Sequence, residues 1–167
     1  GAAHAAVISA GTPTTSVPPY LSDGSYLAGI ALTLGTNQFL LPVEITGAVG
    51  LQSWQFDLNF DETVVQQVDP GDSTSGIYGA QFTPGDANSL SFILGGFPIN
   101  AQGLVDDVGG SYPSLLSGAT GNGVLAFVLF EYLSDQQTRD PDFGIDNQDP
   151  PPIQRAPEPG TMLLLAA

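Results

Sequence analysis

Apolar residues recur at every second position in short runs along this chain, and turn-forming residues close each run. The clearest run is LQSWQFDLNF (51–60), where Trp54, Phe56, Leu58 and Phe60 alternate with Gln55, Asp57 and Asn59. A period of two puts the first set on one face of a strand and the second on the other, so one face is core and the other meets water. Further runs are SYLAGIALTL (25–34), QFLLPVEITG (38–47), TVVQQV (63–68), IYGAQF (77–82), SLSFILGG (89–96) and GVLAFVLFEYL (123–133). Val43 and Ile45 are expected inside with Glu44 and Thr46 outside, and Pro42 marks an edge or a bulge. The same phase puts Leu90, Phe92 and Leu94 inside. No segment sustains a helical period. The pattern predicts an all-β antiparallel sandwich. Residues 97–121 are expected to form a long Gly/Ser/Asp-rich connection, and Phe143 and Ile145 mark one last short strand.

Three regions follow: an arm with a Pro/Thr-rich spacer (1–22), the sandwich (23–147), and a Pro-rich linker with a tail (148–167). The arm carries a short apolar stretch of Ala2, Ala3, His4, Ala5, Ala6, Val7 and Ile8. It is a candidate donor strand, because an exposed sheet edge accepts an added strand. Insertion into a neighbouring copy is head-to-tail and builds an open filament. Ala3-His4-Ala5 also has the form of a signal-peptidase site, so export is expected.

Composition narrows the chemistry. The 21 Gly and 14 Pro among 167 residues disfavour helices. Seventeen acidic against two basic residues give a formal net charge of -15. That balance excludes nucleic acid, which needs a basic stripe, and anionic lipid for the same reason. Cations and basic surfaces are the charged partners left. Cys is absent and the one histidine, His4, lies in the arm. Neither a histidine-activated nucleophile nor a zinc site can be assembled from that set, and a non-catalytic protein is expected. The carboxylates on or beside strands, Glu44, Asp57, Glu62 and Glu131, are not brought together in pairs by anything in the sequence, as glycoside hydrolysis requires. Asp140, Asp142, Asp146 and Asp149 crowd the segment DPDFGIDNQD and are the candidate ligands for Ca²⁺, the one cofactor the sequence suggests. The segment lacks a closing Glu, and a solvated acidic linker is the competing reading. Asp106-Asp107 is a weaker acidic pair.

In order, IALTLGT, LPVEITG, WQFDLNFDETVV, VDPGD and the glycine-led VLAFVLFEYL resemble a cohesin domain over residues 30–133. That resemblance implies a jelly-roll-like sandwich of about nine strands, without catalytic function, that docks other proteins. No dockerin-recognition residue can be carried over. The cohesin phase turns Ala126, Val128, Phe130 and Tyr132 inward and Phe127, Leu129 and Glu131 outward. Phe127, Leu129 and Ile93 are then expected to form an apolar interface patch, with Asp57 and Asn59 as further interface residues. At the tail, Pro157-Glu158-Pro159 and the apolar run after it resemble the start of a PEP-CTERM sorting signal. This implies export and retention at the surface of a Gram-negative bacterium, with membrane contact only through a C-terminal segment that these few leucines do not supply. The leading expectation is an exported structural protein of the cell surface or matrix that polymerises with copies of itself. The alternatives are a monomeric cohesin-like module for another exported protein, and a carbohydrate-binding domain using Trp54 and Tyr78.

Overall fold

All but one of the apolar runs become strands in the computed structural model, which describes residues 6–151. The strands are β1 (Val7–Ala10), β2 (Gln38–Leu51), β3 (Ser53–Asn59), β4 (Val65–Gln67), β5 (Ile77–Gly79), β6 (Phe92–Ile99), β7 (Leu104–Ser111), β8 (Ala119–Tyr132) and β9 (Gly144–Asp149). A one-turn helix, α1 (Pro19–Ser22), lies between β1 and β2. The first sheet runs β1-β2-β8-β4, with β5 also on β8; the second runs β6-β7-β3-β9. All pairings are antiparallel, and the two sheets enclose one core, an all-β sandwich. Among the described residues no helix is long and apolar enough to cross a membrane.

Strands β2 and β8 form the spine, with Phe39 opposite Phe130, Leu41 opposite Val128 and Val43 opposite Ala126. The inward side chains of this pair meet Phe56, Leu58, Val105 and Val108 from the second sheet in the main core. Both strands are apolar on their outer faces as well, and water cannot be left on that side without cost. Residues 17–34 cover it. Leu21 and Leu32 from that strap bury Leu40, Tyr78 and Leu129 in a second, smaller cluster. The Tyr26 hydroxyl accepts the Gly79 N–H at 2.8 Å, tying the strap to β5.

Three expectations are corrected. Residues 25–34 are not a strand, because Gly24, Ala28 and Gly29 adopt positive φ (82°, 51° and 97°) and turn the chain over the sheet. The β6 phase is reversed: Phe92 and Leu94 face water, not the core. Ser91 is inside instead, donating its hydroxyl to the Leu125 carbonyl at 2.7 Å, and Ile93 packs against the main core. The supposed long connection contains β7. Its alternation is broken because Asp106 and Asp107 together oppose Asp57, a β-bulge that leaves the buried Val105 and Val108 three residues apart.

The arm is drawn into the fold well before residue 22. Strand β1 pairs with β2, Ile8 opposite Ile45, and buries Ala6 and Ile8 in the main core. On its other side the Gln148 side chain stands in for a strand, accepting the Ile8 N–H and donating to the Ala6 carbonyl, both at 3.0 Å. Of the candidate donor strand, Ala2, Ala3, His4 and Ala5 lie outside the described residues, as do Pro157, Glu158 and Pro159 of the tail motif.

Candidate functional site

Among the described residues, the outer face of the second sheet has no covering strap of the kind that seals the first. Its edge strand β6 carries three large apolar side chains into water: Phe92, Leu94 and Phe97, 60%, 65% and 64% exposed. Isolated exposed apolar residues are ordinary, whereas three along one strand are not. Leu94 and Phe97 form one wall of a groove of about 360 Å³. Gly95, Gly109 and Gly110 line it without side chains, and Ser53, Gln55, Asp107 and Asp149 line it with polar ones. Phe92 borders a neighbouring hollow of about 430 Å³ with Tyr26, Leu90 and Pro113.

Two glycines of these strands, Gly110 and Gly96, are required by packing against core side chains. A Cβ on Gly110 would lie 2.4 Å from Cζ2 of Trp54, whose indole is buried directly behind the sheet. A Cβ on Gly96 would lie 2.4 Å from Cδ1 of Ile77. Small residues here let the second sheet lie close on its own core.

Beside the groove the β7 bulge gathers charge. Carboxylate oxygens of Asp57, Asp106 and Asp107 lie within 4.8 Å of one another, the one such trio among the described residues. The Asp107 N–H donates to Oδ1 of Asp57 at 2.9 Å, and Asn147 Nδ2 donates to its Oδ2 at 2.7 Å. Gln55 Nε2 donates to Oδ1 of Asp107 at 2.9 Å. Lost hydration works against the Asp57 charge, but hydrogen bonds from Asn147 and the Asp107 amide, and one with Asp106, outweigh it and hold its carboxyl below the ordinary value. Asp106 is pushed up, by lost hydration first and then by the charge of Asp107 and its contact with Asp57. Arg139 is the only basic residue among those described. It lies 3.6 Å from Asp61, not at the trio.

The residues singled out from sequence are distributed differently. Asp57 and Asn59 do lie on this outer face, where Asn59 Nδ2 donates to Asp146. Phe127 and Leu129 belong to the opposite sheet, in the cluster under the strap. Ile93 packs against the main core. The expected patch of Phe127, Leu129 and Ile93 is therefore not one surface, because strand alternation sends these side chains to different layers. The four candidate calcium ligands are not gathered either. Asp146 and Asp149 sit on β9 opposite Asp57 and Gln55, while Asp140 accepts the Asp142 N–H in the preceding loop. Trp54 and Tyr78, the aromatic residues a sugar would stack on, are buried. The assumed phase of β6 hid Phe92 and Leu94 by placing them inside, and Phe97 was hidden because it fell in the supposed long connection rather than on β6. The charged pair Asp106-Asp107 inside an otherwise apolar stretch was the available signal for the bulge.

No family model matches the chain, and no curated protein matches it. Among solved structures it is similar to the second type II cohesin module from the cellulosomal adaptor ScaA scaffoldin of Acetivibrio cellulolyticus, at 20% identity over 60% of this chain and 63% of that one, TM-score 0.42. The type II cohesin A11 of Bacteroides cellulosolvens is similar at 21% identity, over 60% and 63%, TM-score 0.42. A type II cohesin–X-dockerin complex from Acetivibrio cellulolyticus is similar at 19% identity, over 60% and 65%, TM-score 0.41. The match spans less than two thirds of each of these chains.

Proposed function

We propose that this chain is a non-catalytic, exported protein-binding module that docks a partner on the outer face of its second sheet. The observation that carries this reading is the exposure of Phe92, Leu94 and Phe97 along one edge strand beside a glycine-lined groove. The other apolar sheet face is already sealed by the strap, so this is the face left for another molecule. The cohesin-like motif series supports the same class of role, and the tail motif Pro157-Glu158-Pro159 supports export to the surface of a Gram-negative bacterium. The test is capture from surface extracts and culture fluid of the source organism by the immobilised chain. A partner held by the native chain and by the control Ile30→Asp, whose residue is exposed on the strap, but lost by the Leu94→Asp/Phe97→Asp double variant, identifies the face. A partner retained by the double variant refutes it.

A second reading, polymerisation by strand donation, is favoured by one feature. Strand β1 lies at the edge of its sheet as a four-residue ladder on β2, is met on its other side by the Gln148 side chain, and seats Ile8 in the core. The same contacts are available to β1 of a second copy. Negative-stain microscopy tests it: filaments in the native preparation and none with Ile8→Asp are expected, and monodisperse particles in both rule it out.

A further inference from the structure

The docking face also carries information about the chemistry of its partner. By register Phe97 lies opposite Asp106, so the apolar wall and the carboxylate trio are cross-strand neighbours, close enough for one occupant to touch both. Among the described residues, the donors that reach the trio, Asn147, Gln55 and the Asp107 amide, are all neutral. They orient the carboxylates without compensating their charge.

Taking the outer face of the second sheet as the docking site, we infer that its partner is a basic, amphipathic segment of another protein. This segment places an arginine or lysine against Asp57, Asp106 and Asp107 and an apolar side chain between Leu94 and Phe97. A neutral apolar partner would strip water from the trio and return nothing to it, which is costly for charged groups. A second copy of this chain is a poor occupant for the same reason. The chain has 17 acidic residues against two basic, and joining two such faces brings two trios together. A cationic side chain turns the repulsion within the trio into an attraction, and the planar guanidinium of arginine can engage two of the carboxylates at once.

The experiment uses the full chain and two blocked synthetic heptapeptides as probes, one of alternating leucine and arginine, the other of alternating leucine and glutamine. Binding is followed by amide chemical shifts and by titration at physiological salt. The arginine peptide is expected to shift amides of β6 and β7 and to bind at least about tenfold more tightly than the glutamine peptide. Asp106→Asn/Asp107→Asn is expected to weaken it about tenfold or more. Asp69→Asn/Asp135→Asn, which removes the same charge from loops outside the second sheet, changes it less than about twofold, as rim charges do. Equal loss from both double variants overturns the inference, because the attraction is then only that of net charge. Equal binding of both peptides at β6 overturns the cationic partner while leaving the docking face intact. Failure of both peptides to shift β6 and β7 overturns the inference as well, and the capture experiment then judges the face by itself.

Discussion

Truncating Leu129 separates a sealed sheet face from an open one. Its side chain is 1% exposed and sits in the cluster formed by Leu21, Leu32, Leu40 and Tyr78 beneath the strap. Removing it forfeits the transfer free energy of a buried leucine, about 1.5–3 kcal/mol, and leaves a cavity that the strap closes only in part. Leu129→Ala is therefore expected to cost about 2–4 kcal/mol in all, within the range for buried leucines. With a denaturant slope of about 2 kcal/mol/M, the urea midpoint falls by about 1–2 M at unchanged slope. Leu94→Ala is the comparison. That leucine is largely in water, and its truncation is expected to change stability by less than about 0.5 kcal/mol. If the strap is the cover, Leu21→Ala combined with Leu129→Ala costs less than the sum of the two, because both empty the same cluster. Urea unfolding followed by tryptophan fluorescence gives all four values. A Leu129→Ala cost no larger than that of Leu94→Ala refutes the sealed second cluster, and with it the argument that the second sheet is the face left for docking.

Further expectations concern the groove and the arm. Gly110→Ala drives a Cβ into the buried Trp54 indole, 2.4 Å from Cζ2; a loss of about 1–3 kcal/mol is expected in urea unfolding, as for other overpacked cores. Asp106→Asn is expected to raise the melting temperature at neutral pH, since a carboxyl whose folded pKa is raised withholds its stabilising contribution once ionised. The gain disappears as the pH falls through the carboxylate range near about 4 and shrinks in about 1 M salt, where screening acts within about 3 Å. Asp57→Asn is expected to do the opposite. Its depressed carboxyl stabilises above the unfolded value and loses that contribution on acidification, and melting curves across pH check both signs. Gln148→Ala leaves the Ile8 N–H and the Ala6 carbonyl without partners. Hydrogen exchange at Ile8 is expected to accelerate at least about tenfold while the β2–β8 amides are unchanged, a local opening of the arm.

In β2 and β3 alternation by itself settled which face is buried. Trp54, Phe56 and Leu58 are buried, as their spacing demands, and Gln55, Asp57 and Asn59 face outward. The inward phase of Val43 and Ile45 was equally legible, because a period of two follows from backbone geometry whatever the neighbours are, whereas that of Ala126, Val128 and Phe130 came from the cohesin resemblance. The absence of Cys and the scarcity of basic residues likewise bounded the chemistry without reference to the fold. Tertiary structure decided the rest. A strand apolar on both faces, such as β8, does not say what covers the second face; the strap at 17–34 does so only because three positive-φ residues bend it across the sheet. The phase of β6 depended on Ser91 finding the Leu125 carbonyl 34 residues away. The trio joins Asp57 to a pair 50 residues further along, through a bulge that breaks the period a sequence reading relies on. Local pattern reports burial, whereas a binding surface consists of residues left over after distant segments have chosen their partners, and that choice is made only when the chain closes on itself.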